Sequence, residues 1–225
     1  MTTADIHIHT TYSPDSIIKP QELVRKAKAC GLDIVCVTDH NIFEENVGLE
    51  YFNRMDKTPL IIRGVELATS HGELIIFGLR KNFWEDLKRG MEMLPLTEKV
   101  IDAVKSFDGL AIWPHPFREY TMMSYNIEYK DIKDVYIMET LNAHNSDEEN
   151  KKAYAYAKKH GFKMLGGSDA HNPEEIAQAL TLFKDDIECE EDFIYALKNS
   201  FYTPITYRDL MGKDLKELLK QRMES

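Results

Sequence analysis

Histidine and acidic residues close one apolar, strand-like run after another along this chain. The runs read Asp5-Ile6-His7-Ile8-His9, Val35-Cys36-Val37-Thr38-Asp39-His40 and Ile61-Ile62-Arg63-Gly64-Val65-Glu66. Further on come Leu110-Ala111-Ile112-Trp113-Pro114-His115 and Leu165-Gly166-Gly167-Ser168-Asp169-Ala170-His171. Another run, Val135-Tyr136-Ile137-Met138, leads into Glu139 and then His144. Imidazole nitrogen and carboxylate oxygen suit Zn²⁺, Mn²⁺ or Fe²⁺, and the lack of thiolates among them argues against a purely structural zinc knot. Ligands at the C-terminal ends of successive parallel strands converge on one mouth of a barrel.

His7 and His9 stand two apart on a strand and leave the same face, so Ile6 and Ile8 are expected to point into the layer between strands and helices. Taken singly, each group has an ordinary alternative. A His-x-His pair is also a polar strand end. Asp39-His40 and Asp169-Ala170-His171 are also helix caps, a task that Asn41 or Asn172 would do equally well. Glu66 is also a solvated strand end, and His115, between Pro114 and Pro116, a turn residue. Their shared placement at one end of their strands favours the ligand reading, because independent accidents would scatter between both ends. A carboxylate such as Glu66 can bridge two cations, and two ions roughly 3.5–4 Å apart can activate a water and hold both oxygens of a phosphoryl displacement.

The elements that must position these groups alternate strand and helix, the pattern of βαβ units around a parallel sheet. Pro20 opens a helix with Leu23, Val24, Ala27 and Cys30 on its apolar face and Gly31 at its end. A second helix is expected from about Glu44 to Met55, and His71-Gly72 marks a hairpin between the third run and Leu74–Gly78. Residues 83 to 107 read as two helical pieces broken at Pro95. Ser146-Asp147-Glu148-Glu149 has capping-box form with Gly161 closing its helix, and Asn172-Pro173 reads as a further cap. Leu210, Leu215, Leu218 and Leu219 give a helical tail. The expected architecture is α/β, a distorted (βα)7 TIM-like barrel with a metal site at the C-terminal ends of the strands, formed by residues 1–225 as a single domain.

Composition fits that expectation. The 225 residues are 43% hydrophobic and 29% charged, with a net charge of −10. An acidic balance disfavours broad duplex binding, which needs a basic face to displace counterions. No apolar run is long enough to span a bilayer, and the first residues lack a secretory signal, so no membrane partner and a cytoplasmic location are expected. Cys30, Cys36 and Cys189 show no paired spacing and read as reduced thiols. Oligomeric state is left open.

The motifs Asp5-Ile6-His7-Ile8-His9-Thr10, Tyr12-Ser13-Pro14-Asp15-Ser16, Thr38-Asp39-His40-Asn41, Gly64-Val65-Glu66, His115-Pro116 and Gly167-Ser168-Asp169-Ala170-His171 resemble those of the polymerase and histidinol phosphatase (PHP) family. The resemblance runs in family order from residue 5 to at least 171. It implies a distorted seven-stranded barrel, two or three divalent ions (Zn, Mn or Fe, with Mg as a further option) and hydrolysis of phosphoester bonds. It also implies that His7, His9, Glu66 and Asp169 hold a first ion. Glu66 would bridge to a second ion held by His115 and a ligand after the fifth strand, for which His144 is chosen. His40 and His171 would hold a third. Asp15 stands where many members have histidine, which biases the third site toward a harder ion such as Mn²⁺ or Mg²⁺. Asp39 is read as orienting a ligand histidine. His71 is expected at the hairpin and His160 in a helical last turn.

The expected reaction is in-line attack of a metal-activated hydroxide on phosphorus, with His40 or His171 protonating the leaving alkoxide and Arg118 holding a substrate phosphate. A small phosphorylated substrate, a monoester of a small molecule or nucleotide, is the first reading. The alternatives are an exonuclease or phosphodiesterase acting on a single-stranded nucleic acid end or a cyclic diester, and a non-catalytic metal-binding module. Tyr120, Tyr125, Tyr129 and Lys130 hint at an aromatic, basic track for the second. Intact ligand positions count against the third.

Overall fold

The computed structural model describes residues 1–42, 59–79, 94–119 and 132–224. The helix expected near Glu44–Met55, the first helical piece after residue 83, and Tyr120, Tyr125, Tyr129 and Lys130 lie outside the described residues. Strand β1 (Thr2–Ile8) is followed by α1 (Pro20–Ala29), β2 (Ile34–Val37), β3 (Leu60–Thr69) and β4 (Gly72–Phe77). Then come α2 (Thr97–Ser106), β5 (Leu110–Ile112), β6 (Ile137–Asn142), α3 (Asp147–His160) and β7 (Lys163–Gly167). The chain continues through β8 (Ala179–Phe183), α4 (Glu190–Asn199), β9 (Tyr202–Thr206), α5 (Tyr207–Gly212) and α6 (Leu215–Met223). No helix among the described residues is long and apolar enough to cross a membrane, and none of the three cysteines is paired.

Strands in the order β5-β4-β3-β2-β1-β8-β9 form one sheet, and β6-β7 form a second. Single parallel bridges, Trp113 to Met138 and Ile8 to Ala170, join the pair to β5 and β1. The fold is α/β, with the sheet curled as an open half-barrel. It departs from a uniformly parallel (βα)7 arrangement in two places. β4 runs antiparallel to both β3 and β5, because Ser70 and His71 alone connect β3 to β4 and so short a link permits only a hairpin. β8 and β9 add an antiparallel flank beside β1.

Three apolar layers support this shape. Ala4, Ile34, Ile62, Ile75, Phe77, Ile112, Ile137, Leu165 and Phe183 meet α4 residues on the concave side. Val35, Val37, Leu180 and Leu182 pack outward against Leu23 and Ala27 of α1 and Leu218 and Leu219 of α6. Val65, Leu74, Ile76 and Met138 pack against Val100 and Val104 of α2. The capping box at Ser146 and Glu149 forms, and Gly161 ends α3 with φ of 76°. Asn172-Pro173, by contrast, starts no helix. Glu175 there takes the amides of His171 (2.8 Å) and Asn172 (3.1 Å), and Ala177, at φ 72°, turns its amide toward Asp5 (2.9 Å).

Two β-bulges break the simple alternation and aim side chains at the mouth. In β1, Asp5 pairs with Val35 but Ile8 pairs with Val37, so β1 spends one extra residue. Ile6 consequently joins the concave core while Ile8 packs outward with α1. The expectation that both isoleucines point outward therefore holds for Ile8 and fails for Ile6, because a bulge shifts the two-residue phase. β6 has the same irregularity between Glu139 and Leu141, which lets Glu139 and Asn142, three apart, reach the same cluster.

Gly167 lies where these strands crowd. A Cβ there would sit 2.6 Å from the Cβ of His7 and 2.7 Å from Glu139 Oε1. Gly167→Ala is expected to destabilise the fold by about 1–3 kcal/mol through overpacking, read as a lower denaturation midpoint. An unchanged midpoint would mean that the close approach is not a constraint.

Candidate metal centre

The ends of β1 and β7 and the interior of β3 bring four buried groups together. His7 Nε2 lies 3.1 Å from His9 Nε2, 3.3 Å from Glu66 Oε2 and 3.4 Å from Asp169 Oδ1. His9 Nε2 is 3.2 Å from both of those oxygens. Ligands bonded to a tetrahedral ion at about 2.1 Å stand roughly 3.4 Å apart, so these spacings match the edges of such a site. Glu66 lies inside β3 and not at its end. It sits where β3 leaves β2, bridged to His40, and pairs with Ile75 of β4.

Neighbouring groups fix which nitrogen each imidazole presents. His7 Nδ1 donates to Glu139 Oε1 at 3.2 Å. His9 Nδ1 donates to Ser13 Oγ at 3.2 Å, and Ser13 in turn donates to Asp39 Oδ1 at 2.9 Å. Asp39 thus acts on His9 through Ser13, while also accepting from the Thr10 amide and hydroxyl. Both Nε2 lone pairs then face carboxylate oxygens. Glu66 Oε2 is buried and accepts no hydrogen bond among the described residues. Lone pairs opposed at this distance repel unless a proton or cation lies between them, so the donor set fits a divalent ion.

Arg118 turns to protein groups. Its Nη2 donates to Asp169 Oδ2 at 2.6 Å and to Asn142 Oδ1 at 2.9 Å, and its Nε donates to Asn145 Oδ1 at 3.0 Å. That bonding holds Asp169 with Oδ1 toward the histidines. Asp5 supports the same segment from below, taking the Ser168 and Ala177 amides at 2.9 Å each. Burial raises its carboxyl to about 6, with those hydrogen bonds opposing the shift. Asp169 at φ 57° and His115 at φ 27° occupy the left-handed region, a backbone cost that recurs at functional sites.

The remaining sequence-picked groups divide. Asp15 Oδ2 sits between His40 Nε2 (3.3 Å) and His171 Nε2 (3.4 Å) at the half-open rim. His40 Nδ1 also approaches Glu66 Oε2 at 3.1 Å. His115 Nε2 meets Glu66 Oε1 at 2.8 Å. His144 gathers with His171 and Glu175, away from His115 and Glu66. It pairs with Glu175 at 3.1 Å, near His171, because the β6 bulge and the turn after it carry it to the rim. His71 stays at the hairpin, hydrogen-bonded around Thr97, and His160 packs on Tyr156 in the last turn of α3. Sequence reasoning missed Asn142 and Glu175, and it noted Glu139 at the end of a run without giving it a role. Ser13 lay within a motif already noted, while the two-residue strand rule hid Asn142.

Charge balance at the cluster is severe. Burial disfavours charge on His7, yet Asp169, Glu66 and Glu139 outweigh it and raise the imidazole well above its ordinary range. Burial likewise opposes charge on His9, but Asp169 and Glu66 lift it to about 9. Burial pushes Glu66 and Asp169 up, and the histidines, His7 foremost, more than reverse this and hold both well below the carboxylate range. Burial lowers His40 and His171, with the nearby charge of His9 adding to it.

In ion-free protein, then, His7 and His9 carry protons at neutral pH. The stabilisation from His9 is complete below the unfolded value of 6.5 and is lost as pH climbs through about 9, and that from His7 is lost as pH climbs through its own raised value. The carboxylates contribute above 4.5 and lose that contribution as pH falls. Metal loading at pH 7 is expected to release up to two protons, one each from His7 and His9. Calorimetry in buffers of different ionisation enthalpy measures this, and ion binding without proton release would contradict the charge balance.

A family model described as PHP-associated matches residues 147–200. The Methanocaldococcus jannaschii protein MJ1587 is 36% identical over 124 residues, which cover 51% of this chain and 67% of that one. A "Probable phosphatase" of Acetivibrio thermocellus is 24% identical over 83% of this chain and 88% of its own length. Among solved structures, PsfC from Pseudomonas syringae PB-5123 superposes with a TM-score of 0.69 at 18% identity, covering 99% of this chain and 98% of that one. Endonuclease Q, in complex with an abasic duplex, gives 0.66 at 18% identity over 90% of this chain, which spans 58% of that enzyme. With the histidine and carboxylate cluster in place at the strand ends, the chain belongs to the PHP-domain-like family and has the fold of its metal-dependent phosphoesterases.

Proposed function

We propose that residues 1–225 act as one unit that hydrolyses phosphate monoesters of a small molecule or nucleotide, with divalent ions at the cluster of His7, His9, Glu66 and Asp169. The observation that carries this reading is the set of 3.1–3.4 Å separations among buried nitrogen and oxygen atoms. Bound ions would supply Lewis-acid neutralisation of phosphoryl charge and acidify a water. Ser13 and Glu139 hold His9 and His7 with Nε2 facing inward, and Arg118 restrains Asp169. The guanidinium is thus a positioning group for a ligand first, and the phosphate contact expected from sequence is secondary. His40, His171 and Asp15 form the rim. Their imidazoles favour the neutral form, which suits a third ion better than donation of a proton to the leaving alkoxide.

A second reading, cleavage of single-stranded or cyclic phosphodiesters, draws support from the fold likeness to endonuclease Q. One experiment addresses both. The protein is stripped of metal, reloaded separately with Mn²⁺, Zn²⁺ and Mg²⁺, and given monoester and diester panels beside Glu66→Ala and Glu66→Gln. Metal-restored phosphate release that both variants abolish is expected, with monoesters faster. Diesters turning over faster would favour the second reading. Turnover that survives stripping or either substitution would overturn the assignment.

A further inference from the structure

β4 alternates apolar residues between two layers. Leu74 and Ile76 pack outward with α2, whereas Ile75 and Phe77 face the concave core. Glu73 shares the phase of Ile75 and Phe77 and so places a carboxylate on the concave side, at the mouth. Its Oε2 lies 3.8 Å from His115 Nε2, and it can bring one oxygen within 4.8 Å of ligand atoms of Glu66 and His40. Among the described residues, its carboxylate accepts no hydrogen bond, and no lysine or arginine pairs with it.

Glu66 meanwhile divides its two oxygens. Oε2, unpartnered and buried, faces His7, His9 and His40, while Oε1 faces His115. The other candidates for a cation or ligand on the His115 side are committed elsewhere. Arg118 bonds Asp169, and His144 bonds Glu175. A buried histidine between two carboxylates offers one nitrogen and two oxygens, a set that draws in a hard cation.

We propose that Glu73 is a ligand to a second divalent ion, shared with His115 and Glu66 Oε1, and that this oxygen-rich set selects Mn²⁺ or Mg²⁺ over Zn²⁺. The inference rests on the reading that His7, His9, Glu66 and Asp169 hold a first ion. Carboxylate ligation by Glu73 replaces the contribution that sequence reasoning assigned to His144.

Calorimetric titration with Mn²⁺ and with Zn²⁺, with bound metal counted by elemental analysis, tests it on wild type, Glu73→Gln, Glu73→Ala and Glu73→His. Loss of a group that only supports a ligand weakens metal binding by about 10–100-fold, so loss of a ligand costs at least that much. Both Glu73→Gln and Glu73→Ala are expected to lose one Mn²⁺ equivalent under conditions that saturate wild type, with the tightest equivalent unchanged. That retained ion also reports a folded site. Glu73→His is expected to restore the equivalent with a preference moved toward Zn²⁺, a change that a purely structural role would not produce. Unchanged stoichiometry and affinity in Glu73→Gln and Glu73→Ala would overturn this inference alone. A wild type that binds a single ion would overturn it and leave the first site standing, and one that binds none would overturn both.

Discussion

Two carboxylates, Glu66 and Asp169, are held almost out of contact with water against two imidazoles. Ionised groups in such an environment persist only when opposite charge is close and hydrogen bonds satisfy what remains. Protons on His7 and His9 meet that requirement in one state of the protein, and divalent cations meet it in another. Much of the surrounding architecture enforces the arrangement. Glu139, Ser13 and Arg118 each hold one member of the cluster by a side-chain hydrogen bond, and Asp5 holds the backbone that carries Asp169.

The sheet serves the same end. A concave core of Ile, Leu and Phe fills the half-barrel below the cluster, so the polar groups have nowhere to retreat and gather at the mouth. The two bulges spend one extra residue each to turn neighbouring side chains the same way. In β1 this puts Ile6 in the concave core while His7 reaches the cluster. In β6 it brings Asn142 beside Glu139, at the cost of a buried Thr140 hydroxyl with no partner among the described residues. Gly167 leaves the space that His7 and Glu139 occupy.

Much of this was legible in the residues. The clustering of His7, His9 and Asp169 follows from their position at or just beyond strand ends, while Glu66 joins them from inside β3, and the hairpin, the α3 capping box and Gly161 follow from local turn and cap chemistry. What was not legible has one physical source. Strand phase is periodic only while pairing is regular, and no residue type announces a bulge. Ile6 was therefore assigned to the wrong layer and Asn142 was overlooked. His144 lies with His171 and Glu175 and not beside His115 for a related reason, since its rim position depends on the turn after that bulge. The antiparallel β8–β9 flank is likewise a property of tertiary pairing, invisible in apolar runs that read the same in either direction.

Strand geometry gathers His7, His9, Glu66 and Asp169 into a cluster that can hold a divalent ion. Anomalous diffraction from crystals grown with Mn²⁺ or Zn²⁺ tests it most directly. A peak is expected about 2.0–2.2 Å from the Nε2 atoms of His7 and His9 and from oxygens of Glu66 and Asp169. Peaks confined to the rim, at His144 and Glu175, with none among these four residues would contradict it.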